Sequence, residues 1–141
     1  MRRSEEEIQL VRDWLAFAKE NLLAAKALAS EDFAPFHTVC FLSQASAEKH
    51  LKAFLIWHGW SLKKTHDLSE LLKYCSDYDA SLVQLAPECQ LLNDYATEGR
   101  YPGDLPFESI GKQDAKEAVE AAEKIEALVQ ERISISSNHN L

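Results

Sequence analysis

The chain is poor in the residues that break or staple a fold. Glycine and proline number four each, which excludes a collagen-like or linker-rich architecture. The three cysteines, Cys40, Cys75 and Cys89, are odd in number, widely spaced and lack any CxxC. That excludes a disulfide scaffold and fits reduced, partly buried thiols in a cytoplasmic protein. No strictly apolar run exceeds the length of Ala53-Phe-Leu-Ile-Trp57, far short of the ~20 residues of a membrane span. Positive charge is scarce: 15 Lys and Arg stand against 23 Asp and Glu, a net charge of −8. A uniformly basic DNA-binding surface is therefore excluded, although a local basic patch is not. P-loop, GxGxxG, GxSxG and HExxH patterns are missing. His37 and Cys40 have i, i+3 spacing, but a structural zinc site needs four ligands, so neither metal nor cofactor is expected. The start, Met1-Arg-Arg-Ser-Glu-Glu-Glu, turns acidic where a secretion signal turns apolar.

What is present suits one globular domain over residues 1–141, with 46% hydrophobic and 27% charged residues. Helical periodicity runs nearly throughout. Residues 5–29 place Ile8, Val11, Trp14, Leu15, Ala18, Leu22 and Ala25 on one face. Ser4 is positioned to cap that helix, and Glu5, Glu6 and Glu7 suit the positive end of its dipole. Residues 35–58 are apolar nearly all round, which marks a central helix buried on several sides or shared with a second subunit. Gly59 is placed to end it. A short helix is predicted over 67–76, capped by Thr65 or Asp67. Leu82, Leu85, Cys89, Leu92 and Ala96 form a fourth stripe that Pro87 should kink or restart. Residues 98–106 read as a loop, 112–133 as a last amphipathic helix, and 134–141 as a polar, flexible tail. The fold expected is an all-α bundle of about five helices.

Three pieces in order carry a family resemblance: Gln44-Ala-Ser-Ala-Glu-Lys-His-Leu-Lys-Ala53, then Lys64-Thr-His-Asp-Leu68, then Arg100-Tyr-Pro102. Together they resemble the bacterial and archaeal HEPN (higher eukaryotes and prokaryotes nucleotide-binding) domain. The resemblance implies an up-and-down bundle and a homodimer, often encoded beside a small nucleotidyltransferase and in some cases part of a toxin–antitoxin pair. Some members cleave RNA with an Arg-x(4–6)-His motif in the dimer cleft. Here the only pair at that spacing is Arg132 and His139, which straddles the last helix and the tail and reads as chance. The resemblance thus implies a non-catalytic or weakly catalytic module that binds a nucleotide or an RNA phosphate. The alternative is a metal-independent RNase toxin with a degenerate site built from His66, Arg100 and Lys52.

The residues themselves allow two roles each. Gln44, Glu48 and Lys52 are spaced four apart on the second helix, as a polar network fixing register or as a row facing a ligand. Lys49, Lys52, Lys63 and Lys64 form the one locally basic stretch, either a solvated surface or a phosphate-seeking patch. Thr65-His66-Asp67 sits where a helix begins. Thr65 or Asp67 caps it, while His66 serves as a wedge against the second helix, as an anion contact, or as a general acid or base. Arg100 and Tyr101 lie in the loop, where a guanidinium fork suits phosphate, or an ion pair locks the loop onto the bundle. The binding set expected is Lys49, Lys52, His66, Arg100 and Tyr101. The structural polar set is Gln44, Glu48, Thr65 and Asp67. No catalytic residue is assigned; His66 and Arg100 are the candidates named for that role.

Overall fold

The computed structural model describes residues 3–31, 33–61, 63–98 and 109–133. Of the loop expected at 98–106, Glu98 ends the fourth α-helix; the rest of it, with Arg100 and Tyr101, and the tail expected at 134–141, with His139, lie outside the described residues. Five α-helices and one 3-10 helix make up the rest: α1 Glu5–Ala29, α2 Phe36–Trp57, α3 Leu68–Tyr78, a 3-10 helix Ala80–Leu85, α4 Ala86–Glu98 and α5 Lys112–Arg132. No described residue is in a strand, and the class is all-α as expected.

α1 begins at a capping box. The Glu7 N–H donates to Ser4 Oγ at 3.1 Å, and the Ser4 N–H donates back to the Glu7 carboxylate at 3.3 Å. Val11, Ala18 and Ala25 of α1 are fully buried. The small residues let α1 lie close along α2, close enough for Ser46 Oγ to donate to the Ala18 carbonyl at 2.8 Å. At the far end of this antiparallel pair, the Arg3 guanidinium donates to the Trp57 carbonyl and lies 3.7 Å from the Trp57 ring centroid.

α2 packs against every other α-helix, which explains why it is apolar nearly all round. Leu51, Phe54 and Leu55 are fully buried on it, together with Ser43, Gln44, Ser46, His50 and Lys52. Gly59 ends α2 at φ 87°, a conformation that costs an L side chain and that glycine adopts freely. The Trp60 N–H then reaches the Leu55 carbonyl and the Gly59 N–H the Ile56 carbonyl, both at 2.9 Å, as in a Schellman motif.

Asp67, rather than Thr65, caps α3 by accepting from the Ser69 and Glu70 N–H groups at 2.9 and 3.3 Å. The interruption expected at Pro87 appears as a change of helix type. The 3-10 helix, capped by Asp79, ends at Leu85, and Pro87 falls in the first turn of α4, where its missing N–H is not needed. The Gly111 N–H donates to the Asp114 carboxylate at 2.9 Å at the start of α5. Arg132, at its end, reaches Asp79 at 3.5 Å. The three cysteines are free and buried, one each on α2, α3 and α4. Burial pushes all three thiols up, Cys40 and Cys89 to about 12. No helix among the described residues is long and apolar enough to cross a membrane.

Candidate functional site

The polar row of α2 meets the start of α3 at one carboxylate. Glu48 Oε2 accepts from Lys52 Nζ at 3.0 Å. Both Glu48 oxygens stand 3.0 Å from His66 Nδ1. Gln44 Nε2 donates weakly to Glu48 Oε1 at 3.4 Å and to the His66 carbonyl at 3.3 Å. Burial pushes the Glu48 carboxyl up, but the hydrogen bonds and charges of Lys52 and His66 outweigh it, and the group lies below its ordinary value. An ionised carboxylate only accepts hydrogen bonds, so His66 Nδ1 carries the proton that faces it. Nε2 is left as the ring's remaining site for a proton, and it can donate to an anion only in the protonated ring. The His66 side chain is 65% exposed.

Lys52 is in the opposite situation. It is 4% exposed, bound to Glu48, with its ammonium 5.8 Å from the Trp14 ring of α1. Its charge is compensated inside the protein. Lys49 turns to α1, where its ammonium donates to Asn21 Oδ1 at 2.8 Å. Burial holds Lys49 below its ordinary value against the pull of Glu48, and Lys52 adds to the lowering. Lys63 stands over the Trp60 and Tyr74 rings. The basic stretch of the sequence is therefore divided among three environments.

The second anchor is Asp67. Besides capping α3 it accepts from Asn93 Nδ2 of α4 at 3.1 Å. Asn93 Oδ1 in turn accepts from the Leu68 N–H at 3.0 Å. Thr65 Oγ1 accepts from the Asp67 N–H at 3.3 Å and donates to Glu70 at 3.2 Å. Gln44, Glu48, Thr65 and Asp67 thus hold α2, α3 and α4 together around His66. Trp14, Asn21 and Asn93 were not anticipated. Asn93 had one visible signal, a polar residue directly after the buried Leu92 in the α4 stripe.

Chemically, the arrangement is a carboxylate-held imidazole at the start of a helix, able to take or give a proton at Nε2. A groove of about 630 Å³ elsewhere is lined by Lys26, Lys112, Lys116, Glu120 and Glu123. No residue of the α2 row lines it, and Lys26 is already paired with Glu123 at 3.0 Å.

The HEPN domain model matches residues 11–133. Among solved structures, the crystal structure of TT1696 from Thermus thermophilus is 27% identical, with a TM-score of 0.74 over 87% of this chain and 98% of that one. The crystal structure of ST0689, an archaeal HEPN homologue, is 26% identical, with a TM-score of 0.69 over 94% of this chain and 98% of that one. No curated protein matches.

Proposed function

Since the chain belongs to the HEPN domain family, we propose that it works as a homodimeric, nucleotide- or RNA-phosphate-binding module. In this reading it is the cytoplasmic partner of a small nucleotidyltransferase in a toxin–antitoxin-like pair. The observation that carries the binding role is His66. Its ring is exposed, its Nδ1 is held by Glu48, and it stands just before α3, whose dipole favours an anion, although Asp67 and Asn93 already take the Leu68, Ser69 and Glu70 N–H groups. Arg100 and Tyr101, expected from sequence, complete the proposed contact set with Lys49. Lys52 contributes through Glu48, since its charge is already paired.

Dimerisation is supported by what α2 leaves uncovered. Phe41 is 42% exposed and Phe17 of α1 is 62% exposed. Trp14 and Asn21 touch α2 through Lys52 and Lys49. Phe17 lies between them in sequence at helical spacing, so it borders the same α1–α2 seam. Large aromatic side chains at a seam of this kind are typical of subunit contacts.

One observation favours the second reading, an RNase. A carboxylate-oriented imidazole is a competent general base or acid. Arg132, of the only Arg-x(4–6)-His pair, is instead engaged with Asp79. The test is titration of wild type, His66→Ala and Arg100→Ala with ATP and with a short single-stranded RNA at low and moderate salt. Salt-sensitive binding weakened by either variant supports the binding module. Equal binding by all three refutes the assignment of the site. RNA cleavage lost in His66→Ala decides for the enzyme.

A further inference from the structure

A second cluster lies one carboxylate away from His66. Trp60 and Lys63 are on the connector between α2 and α3, and Tyr74 and Tyr78 are four apart on α3. The Trp60 and Tyr74 ring centroids are 5.7 Å apart, and Lys63 Nζ stands 5.2 Å from the Tyr74 ring and 6.0 Å from that of Trp60. His58, at the end of α2, stacks on Tyr78 at 4.8 Å with the planes 18° apart. Glu70 joins this cluster to the site already described, accepting from Tyr74 OH with one oxygen and from Thr65 Oγ1 with the other, both at 3.2 Å.

The core accounts for only part of these rings, since Trp60 and Tyr74 pack against it and remain partly exposed. α3 packs inward through Leu68, Leu71, Leu72 and Cys75. Tyr78 is 47% exposed, and Trp60 and Tyr74 are only partly buried. Aromatic faces at the surface with an ammonium beside them match the chemistry of an unpaired nucleobase and its phosphate. The base stacks on the rings, and the cation meets the adjoining charge. Lys63 already stands over both rings, so an incoming base would share their outer faces with its ammonium.

We propose that Trp60, Tyr74 and Lys63 form a stacking subsite for an unpaired nucleobase whose phosphate lies toward His66. The inference rests on the reading of His66 as a phosphate contact, and it adds what that reading lacks, a means of recognising the base. Glu70, already accepting from Tyr74 and Thr65, leaves lone pairs that suit an exocyclic amine, so adenine and cytosine fit better than uracil.

The experiment compares a short labelled oligoadenylate with an abasic strand of equal length, by fluorescence anisotropy at matched salt, with free ATP as competitor. Wild type is expected to bind the oligoadenylate about tenfold tighter than the abasic strand. Trp60→Leu should bring the two strands to nearly equal affinity without weakening the abasic one. Lys63→Gln, which removes the ammonium from its place over the two rings, should weaken both, and a thermal melt of each variant checks that it is folded. His66→Ala should weaken both strands while keeping their ratio. Competition by ATP at concentrations similar to the strand identifies a mononucleotide as the ligand, and its failure to compete identifies a strand. Equal affinity of wild type for both strands overturns the stacking subsite and leaves the phosphate reading standing. A base-dependent affinity untouched by Trp60→Leu and Lys63→Gln overturns the placement of the subsite. If the ratio behaves as expected but His66→Ala changes nothing, the phosphate reading falls and the subsite stands. Binding of neither strand nor ATP overturns both.

Discussion

Removing the carboxylate of Glu48 should expose how much of the polar row is structural. Its side chain is 13% exposed and that of Lys52 is 5% exposed, with 3.0 Å between the charged atoms. In Glu48→Leu the Lys52 ammonium keeps its burial and loses its counter-charge. Stranding one member of a buried pair costs about 3 kcal/mol, or roughly 10 °C in melting temperature for a domain of this size. Lys52→Met should cost less, because Glu48 retains His66 and Gln44. The double variant Glu48→Leu/Lys52→Met replaces the pair with apolar groups of similar volume and should return to within about 1 kcal/mol of wild type. Urea denaturation followed by far-UV circular dichroism, with the slope checked for constancy, gives all four stabilities. A coupling energy above about 2 kcal/mol is the expected result. If the two single effects simply add, Lys52 escapes to solvent when unpaired and the buried-pair argument is wrong. The pH dependence gives an independent check. The Glu48 carboxyl is held below its ordinary value in the folded protein. Its contribution is therefore present above the unfolded carboxylate range and is lost as pH falls through the folded value. Glu48→Leu should remove that part of the acid sensitivity.

Three further outcomes are expected. His50 is fully buried, its Nδ1 donates to the Ser46 carbonyl at 3.0 Å, and burial lowers it to about 4 against that bond's raising pull. The unfolded chain then binds a proton that the folded chain does not. Stability should fall by about 1.4 kcal/mol per pH unit between the ordinary histidine value and pH 4, and His50→Leu should flatten that slope in urea midpoints measured across the window. Asp67→Ala removes the α3 cap and the Asn93 partner, and should cost about 1–2 kcal/mol, read as a shifted urea midpoint. If the proposed dimer forms, Phe41→Asp should leave a monomer near 16.0 kDa by light scattering, since a desolvated charge at a seam is costly. A wild type that is already monomeric at micromolar concentration sinks the dimer instead.

Helix identities and most faces were legible because they depend on local spacing. Ile8, Val11, Ala18, Leu22 and Ala25 lie at spacings of three, four and seven residues, and the structure buries each of them. Gly59 and Asp67 were legible for the same reason, since caps are short-range events. The contact between Glu48 and His66 spans 18 residues, and no local pattern encodes which carboxylate a connector histidine will meet. Lys49 and Lys52 show the limit most clearly. Three positions apart, they share a helix face in outline, yet Lys49 is drawn to Asn21 and Lys52 to Glu48 under Trp14. A run of lysines in sequence looks like one patch until the neighbouring helices divide it. Asn93 was hidden differently: its value lies in bridging the start of α3, and only the packing of α4 on α3 puts it there.

The three sealed thiols make the molecule its own kinetic reporter. Cys40, Cys75 and Cys89 sit on three successive α-helices, buried, and with thiols that stay protonated at neutral pH. A thiolate-seeking reagent cannot reach them in the closed bundle. Each will be modified only during the moments when its own helix departs from the others, so the labelling rates at the three positions clock three separate openings. If α2, which touches all its neighbours, releases Cys40 only with global unfolding while α3 or α4 releases its cysteine sooner, peptide mapping of the modified chain would rank the helices by the free energy that holds each one shut. No substitution is needed for this, and the undisturbed protein supplies the probe at every site.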